Sequence, residues 1–182
     1  MKPPRRERSD VLRHRAALLK AARRVFAERG AHAPLDAVVE AAGVGRATLY
    51  RHFPDRTALL IALLDEEIES IGAAGDAARP DEALFVMIAA ISEGPVRAPA
   101  LSEAWRAIPN DEPRMAACRQ RLAARFAAPL AASQAAGKVR ADLTTADMSL
   151  ITRMISGALR HAPDGADRRI IELLLDGVRA RS

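Results

Sequence analysis

Aromatic residues, cysteines and long apolar runs are all scarce in this sequence of 182 residues. Phe, Trp and Tyr make up 3% of the chain while the wider hydrophobic set makes up 49%, so a core must be built from Ala, Leu, Ile and Val. That composition favours helices over a sheet sandwich. The single cysteine, Cys118, excludes an intrachain disulfide. No apolar run approaches the roughly 18 residues of an ordinary membrane-spanning helix.

The motifs of common enzyme and cofactor sites are missing as well. The sequence has no Gly-rich phosphate loop, no nucleophile elbow, no HExxH and no convincing pair of carboxylates. Its four His residues are scattered without metal-ligand spacing. The N-terminus, MKPPRRERSD, is basic but is not followed by a signal-type hydrophobic stretch. The sequence therefore predicts a cytoplasmic protein that is not an enzyme and has no metal site and no cofactor.

Positive charge is concentrated in the first third of the chain. Residues 1–56 contain thirteen Lys and Arg against six Asp and Glu, a net charge of +7. Residues 57–182 contain fifteen against seventeen, a net charge of −2. This asymmetry indicates a polyanionic partner for the N-terminal third. A basic segment that addresses a membrane surface gives the same pattern, so charge alone does not identify the partner.

The spacing of apolar residues predicts an all-α fold of about nine helices. A disordered basic arm over residues 1–9 precedes a first helix from Asp10 to Arg29, which Gly30 ends. Asp55 is a suitable N-cap for a long helix that ends in an exit over residues 72–80. Further helices are expected over residues 81–92, 98–108, 111–136, 144–161 and 165–181. The helix over 98–108 carries the only tryptophan of the sequence. The helix over 111–136 is expected to be interrupted or kinked at Pro129.

Two short helices form a helix-turn-helix pattern ahead of the long helix. Pro34 opens a helix over Leu35–Ala42, Gly43 ends it, and a second helix runs from about Arg46 to His52. In such a motif the second helix enters the major groove of DNA and the first helix braces it. With Leu49 and Phe53 buried as anchors, the outward-facing residues are Arg46, Ala47, Thr48, Tyr50, Arg51 and His52.

Residues 41–59, AAGVGRATLYRHFPDRTAL, resemble the signature of the TetR family of transcriptional regulators, in which a Gly-Val turn leads into a Leu-Tyr-x-His-Phe helix. The resemblance is detailed from about Val25 to Leu63, and the remainder matches only in length and helical layout. It implies a helix-turn-helix DNA-binding domain of three helices over residues 10–54. It also implies a helical ligand-sensing and dimerisation domain over residues 55–182.

The resemblance implies roles at the matching positions. Tyr50 and His52 stand where the family contacts phosphates, and Arg56 stands where it usually has Lys. Arg46 and Thr48 would contact phosphates and base edges, with Arg46 reading guanine. The predicted DNA-contact residues, including three of the arm that would reach a minor groove, are Arg5, Arg6, Arg8, Arg46, Ala47, Thr48, Tyr50, Arg51, His52 and Arg56. For the arm, an unstructured solubilising tail is the alternative.

Two positions depart from the family pattern. Gly45 replaces the Ser that usually caps the recognition helix, and Ala33 replaces the Thr that usually starts the bracing helix. Losing a side-chain cap costs about 1 kcal/mol, although Gly is a fair substitute at an N-cap. The motif is therefore still expected to fold, but Gly45 supplies no hydroxyl for a phosphate.

The resemblance also implies an effector pocket among the middle helices, with Trp105 as its aromatic wall. The candidate lining residues are Phe85, Met87, Ile88, Trp105, Met115, Cys118 and Phe126. Ordinary core packing is the alternative for each of them. Cys118 is expected to be a small core residue rather than a redox sensor. A pocket of this composition suits an apolar effector.

The last two predicted helices carry more apolar surface than one core contact buries. A second subunit covering it would give a homodimer, and complete burial within a monomer is the alternative. The predicted interface residues are Met148, Ile151, Ile155, Ala158, Leu159, Ile171, Leu174, Leu175 and Val178. A twofold dimer predicts a palindromic operator.

The predicted function is a ligand-responsive DNA-binding repressor that a small-molecule effector releases. A helical adaptor whose basic end binds an acidic protein is the alternative, and it would bind DNA without sequence preference. An enzyme is the third class of function considered, and turnover of a bound small molecule would indicate it.

Overall fold

The structure, a computed structural model, describes residues 5–109, 111–159 and 166–180, and for residues 5–9, 95, 96 and 106 it describes the backbone alone. Within these ranges the chain is all-helical, which confirms the predicted fold class. No single helix there is long and apolar enough to span a membrane. The nine helices of the described ranges are α1 (Arg5–Arg29), α2 (Leu35–Ala42), α3 (Arg46–His52), α4 (Arg56–Asp76), α5 (Ala83–Arg97), α6 (Pro99–Ala107), α7 (Pro113–Ala135), α8 (Thr145–Ala158) and α9 (Asp167–Val178).

The chain divides into two compact units, the first ending at Leu64 and the second beginning at Asp65. The boundary falls inside α4 rather than before residue 55, where the sequence analysis put it. Arg56 gives the physical reason, because its guanidinium Nη1 donates to the carbonyls of Ala31 and Ala33 at 2.7 Å each. These bonds attach the start of α4 to the loop between α1 and α2, so its first turns belong to the first unit.

In the first unit, α2 and α3 have the bounds that the sequence predicted. Gly30 and Gly43 end α1 and α2 with φ values of +80° and +66°, in the left-handed region that favours glycine. Helix α1 was predicted to begin at Asp10, and the structure begins it at Arg5. Arg and Glu, which are good helix formers, follow Pro4, so nothing after that proline stops the helix. Residues 5–9 of the predicted disordered arm are therefore helical.

Helix α4 begins as predicted and ends later. The Asp55 Oδ1 accepts the backbone N–H of Ala58 at 2.7 Å, which confirms the expected N-cap. The predicted exit over residues 72–80 is wrong, because the helix continues to Asp76. Gly75 lies in this stretch because its neighbour leaves no space for a side chain: a Cβ there would lie 2.8 Å from Met87 Cγ. Close helix approach, rather than a turn, accounts for this glycine.

The second unit has an apolar core to which six helices, α4 to α9, contribute buried residues. Its most deeply buried side chains include Met87, Met115, Phe126, Met148 and Ile155. Helix α7 is not interrupted at Pro129, since Phe126 and Leu130 are buried on either side of it and hold that stretch in the core. Helix α8 starts with a capping box in which Thr144 and Asp147 bind each other's backbone N–H groups.

Of the nine predicted dimer-interface residues, three lie in the chain's own core and six are half-buried or exposed. Met148, Ile155 and Val178, all assigned to the dimer interface, are at most 2% exposed within the chain itself. Thr152 and Ser156 can be buried because their hydroxyls donate to the carbonyls of Met148 and Thr152, at 2.9 Å each. The large apolar side chains left exposed on these helices are Leu150, Met154 and Leu173.

The structure pairs the end of α9 with the segment after α7, a contact that the sequence did not predict. Val139 and Arg179 form an isolated antiparallel bridge. The Arg140 N–H donates to the Val178 carbonyl, and the Ala180 N–H donates to the Lys138 carbonyl, at 3.1 Å each. These bonds fix the last described turn of the chain within the second unit.

Candidate nucleic-acid interface

Helix α3 presents a polar face because its apolar residues are anchored in the first unit. Leu49 and Phe53 are almost completely buried, as the sequence predicted. Arg46, Ala47, Tyr50 and Arg51 are exposed, and Thr48 and His52 are half-buried. The six predicted contact residues of α3 therefore remain at least partly accessible around the one buried residue of the helix, Leu49.

The turn between α2 and α3 is built from the backbone. Gly43 adopts the left-handed conformation, and the Val44 N–H donates to the Val39 carbonyl at 3.3 Å. Gly45 is the N-cap of α3 without a side-chain hydrogen bond, while its carbonyl accepts from the Thr48 N–H at 2.9 Å. Several backbone N–H groups at the start of α3 therefore remain available to a phosphate, as at any helix N-terminus.

Arg46 has an acidic neighbour that sequence reasoning missed. The Asp36 carboxylate of α2 accepts a hydrogen bond from Arg46 Nη2, and both side chains are more than half exposed. The pair connects residues ten positions apart, so neither helical periodicity nor the family signature indicates it. In the DNA-free chain the predicted base-reading guanidinium is therefore held by α2.

His52 lies in a cluster of positive charge. Burial lowers the pKa of His52, and the nearby Arg15, His14 and Arg51 lower it further. Arg15 is itself positioned by Phe53, since its guanidinium carbon lies 4.7 Å from the centroid of that ring. The sequence analysis did not assign Arg15 to the interface. The sequence did contain an indication of this position, because Arg15 lies one helical turn before the buried Leu18 and Leu19 and therefore on the same face of α1.

Arg56 makes contacts within the chain that the sequence did not predict. Its Nη1 is bound to two carbonyls of the α1–α2 loop, and its guanidinium carbon lies 5.9 Å from the Phe26 ring centroid. The side chain is half-buried. Arg56 therefore holds the helix-turn-helix to the start of α4. The predicted arm contacts of Arg5, Arg6 and Arg8 concern side chains that lie outside the described residues.

The predicted pocket residues lie in the second unit, mostly deep in its core. Met87, Ile88, Met115, Cys118 and Phe126 are at most 2% exposed, Trp105 is 6% exposed, and Phe85 is half-buried. Burial, assisted by the negative charge of Asp65, raises the pKa of the Cys118 thiol to about 12. Cys118 is thus a protonated thiol at neutral pH, in agreement with a core residue. The described residues contain no cluster of three or more His, Cys, Asp or Glu able to hold a metal ion.

Comparisons with known proteins agree with this architecture. Residues 18–63 match the family described as bacterial regulatory proteins of the tetR family, and residues 79–180 match the SbtR-like transcriptional regulator C-terminal domain. A TetR transcription regulatory protein from Mycobacterium vanbaalenii is 30% identical, with a TM-score of 0.67, covering 95% of this chain and 99% of that one. The chain belongs to the TetR family of transcriptional regulators. It is a helix-turn-helix regulator, and the matched proteins are not enzymes.

Two further relatives illustrate the range of the similarity. The transcriptional activator FasR from Mycolicibacterium smegmatis is 38% identical over 58 residues, which are 31% of this chain and 26% of that protein. The regulator RolR in complex with resorcinol has a TM-score of 0.70 at 21% identity, covering 95% of this chain and 91% of that one. This chain thus matches about a quarter of the length of FasR, and it shares the fold of RolR.

Proposed function

We propose that this chain is a repressor that binds a palindromic operator as a homodimer and leaves it when a small-molecule effector binds the second unit. The observation that carries the proposal is the outward face of α3. There Arg46, Tyr50 and Arg51 are exposed next to His52, within a first unit of net charge +7. Such a face suits the acidic major groove. A DNA partner also agrees with the cytoplasmic localisation expected from the sequence.

The chemistry of each side chain suggests its contact. Arg46 has the fork geometry that reads the O6 and N7 atoms of guanine, and Ala47 is small enough to approach a thymine methyl group. Tyr50, Arg51 and His52 would bind phosphate oxygens and fix the register of the helix. Arg46 and Ala47, together with any base-edge contact of Thr48, would then discriminate between base pairs.

A second copy of the chain is proposed to cover α8 and α9. Leu150, Met154 and Leu173 are each more than half exposed, and the first two lie one turn apart on one face of α8. Covering such side chains with a second subunit removes apolar surface from water. A twofold dimer carries two α3 helices, which agrees with a palindromic operator whose half-sites are about one DNA turn apart.

Release by an effector requires differential binding. A ligand of the second unit lowers operator affinity only if it binds the DNA-incompetent conformation better than the competent one. Helix α4 carries residues of both units and is the proposed connection between them. The complex of the similarly folded RolR with resorcinol supports a small-molecule effector.

The central experiment is a mobility shift on the DNA upstream of the coding sequence, with excess non-specific competitor. We expect saturable binding to a palindromic site, and a loss of about tenfold to a hundredfold in affinity for Arg46→Ala and for Tyr50→Ala. Arg168→Ala in α9, which alters an exposed Arg of the second unit, is the matched control and is expected to bind normally. Binding without sequence preference would support the adaptor instead, and normal binding by both α3 variants would remove α3 from the interface.

Two further measurements test the remaining parts. Sedimentation should give a dimer for the unmodified chain and monomers for the double variant Leu150→Glu, Met154→Glu, which should keep the affinity for an isolated half-site. A promoter-reporter assay should show lower transcription when the protein is present. Higher transcription would make the chain an activator, as the name of its relative FasR states for that protein.

A further inference from the structure

The indole of Trp105 is an unusual group in the core of the second unit. Trp105 is 6% exposed, and its Nε1 has no hydrogen-bond partner among the described residues. An indole N–H is a donor only, and buried donors in folded proteins are nearly always bonded. Its position near the end of α6 therefore calls for an acceptor atom that the described residues do not supply.

Two arginines place positive charge close to this donor. The Arg119 guanidinium of α7 lies over the Trp105 ring, 5.3 Å from the centroid, and its Nη2 donates to the carbonyls of Trp105 and Ile108 at 2.7 Å and 3.3 Å. Burial lowers the pKa of Arg119, and the positive charge of Arg153 on α8 lowers it further. The Trp105 ring thus has one cation on its face, and a second cation, Arg153, disfavours the charged form of the first.

The buried core of the second unit is otherwise largely apolar. In its described part, the buried polar side chains are Ser133, Thr152 and Ser156, and each donates its hydroxyl to a backbone carbonyl. None of the three supplies a charge that would balance the arginines. A ligand at this point would meet a buried N–H donor and the half-buried Arg119 guanidinium, with Arg153 adding positive charge from an exposed position.

We propose that Trp105, Arg119 and Arg153 form the polar end of the effector site and select a small molecule with a carboxylate on an apolar body. One carboxylate oxygen accepts from Trp105 Nε1, and the negative charge offsets that of the two guanidinium groups. This inference rests on the proposed function, because it names the effector class of that site. It also revises the expectation of a purely apolar effector, which would leave the indole donor unbonded.

The chain contains one tryptophan, so its ¹⁵N-labelled form gives a single indole Nε1–H resonance. We would titrate the full chain with benzoate and octanoate, and with benzyl alcohol and octanol as uncharged counterparts. The inference expects the indole proton to move downfield with the carboxylates, because a new hydrogen bond forms, and binding of the alcohols to be at least about tenfold weaker. A resonance that neither carboxylate moves, or equal binding of both classes, overturns it.

Variants separate the charge from the donor. Arg153→Gln alters an exposed side chain that makes no hydrogen bond or ion pair within the described residues, so it should fold normally and weaken carboxylate binding about tenfold. Trp105→Phe retains an aromatic ring, removes the N–H and should weaken the carboxylates but not the alcohols, as measured by calorimetry. Arg168→Gln on α9 is the matched control. Unchanged carboxylate affinity in both site variants overturns the inference.

The same samples distinguish failure of this inference from failure of the proposed function. Release of operator DNA by an alcohol, with the indole resonance unmoved, would retain an effector-responsive regulator and reject the carboxylate site. A carboxylate that moves the indole resonance but leaves operator binding unchanged would retain the site and reject effector release.

Discussion

The two units of this chain put their functional residues in opposite places. The first unit, up to Leu64, carries a net charge of +7 and presents its candidate contacts on the exposed side of one short helix. The second unit, from Asp65, carries −2, and its candidate ligand contacts come from three helices and include a buried indole. The contact residues on a single DNA-binding helix are close together in the sequence, whereas the residues of an enclosed ligand site come from distant parts of it.

The largest effect expected from this comparison concerns folding. Leu49→Ala removes a fully buried side chain from the first unit and should lower its free energy of unfolding by about 2–5 kcal/mol. Trp105 is the only tryptophan, so its fluorescence follows the second unit, while far-ultraviolet circular dichroism follows every helix. For Leu49→Ala we expect a circular dichroism transition at lower temperature or denaturant concentration, with no change in tryptophan fluorescence at that point.

Met115→Ala is the matched variant for the second unit, since Met115 is also fully buried. This variant should lower the midpoint of the unfolding transition that is measured by tryptophan fluorescence. Coincident transitions in both variants would show instead that the two units unfold as one cooperative body.

A smaller effect is expected for the acidic neighbour of Arg46. Asp36→Asn removes the charge that holds the Arg46 guanidinium, which then becomes available to any phosphate. Non-specific affinity should rise, and the slope of log affinity against log salt should become steeper by about 0.9, the value of one added phosphate contact. The ratio of operator to non-specific affinity should fall.

Glu40→Gln is the control for this prediction, because it removes the same charge from the same helix without touching the Arg46 pair. If both variants change the affinity ratio equally, net charge explains the effect and the Asp36–Arg46 pair has no special role in specificity.

The smallest effect is a pH dependence of DNA binding. Burial and its cationic neighbours lower the pKa of His52, so the free chain holds a neutral imidazole at neutral pH. A phosphate favours the charged form and raises the pKa in the complex, so binding takes up protons. Operator affinity measured by fluorescence anisotropy should therefore rise several-fold between about pH 7.5 and about pH 6.

The variant His52→Gln should show a shallower pH dependence than the unmodified chain. The same slope in both proteins would mean that another titrating group is responsible.

How far sequence predicts structure also differs between the two units. The bounds of α2 and α3 followed from Pro34, Gly43 and the apolar spacing, because helix ends depend on local residues. Asp36 and Arg56 escaped prediction because their partners are ten or more positions away. In the second unit, α8 is apolar on two sides, and periodicity cannot tell which side faces the chain's own core. In the structure Met148 and Ile155 are buried, and Leu150 and Met154 are exposed.

The hydrogen bonds of Arg56 fix the start of α4 to the loop between α1 and α2. Its guanidinium fastens the first residue of that helix to the carbonyls of Ala31 and Ala33, just before the bracing helix begins. A displacement of the first turns of α4 would therefore carry α2 and α3 with it, since all of them belong to the first unit.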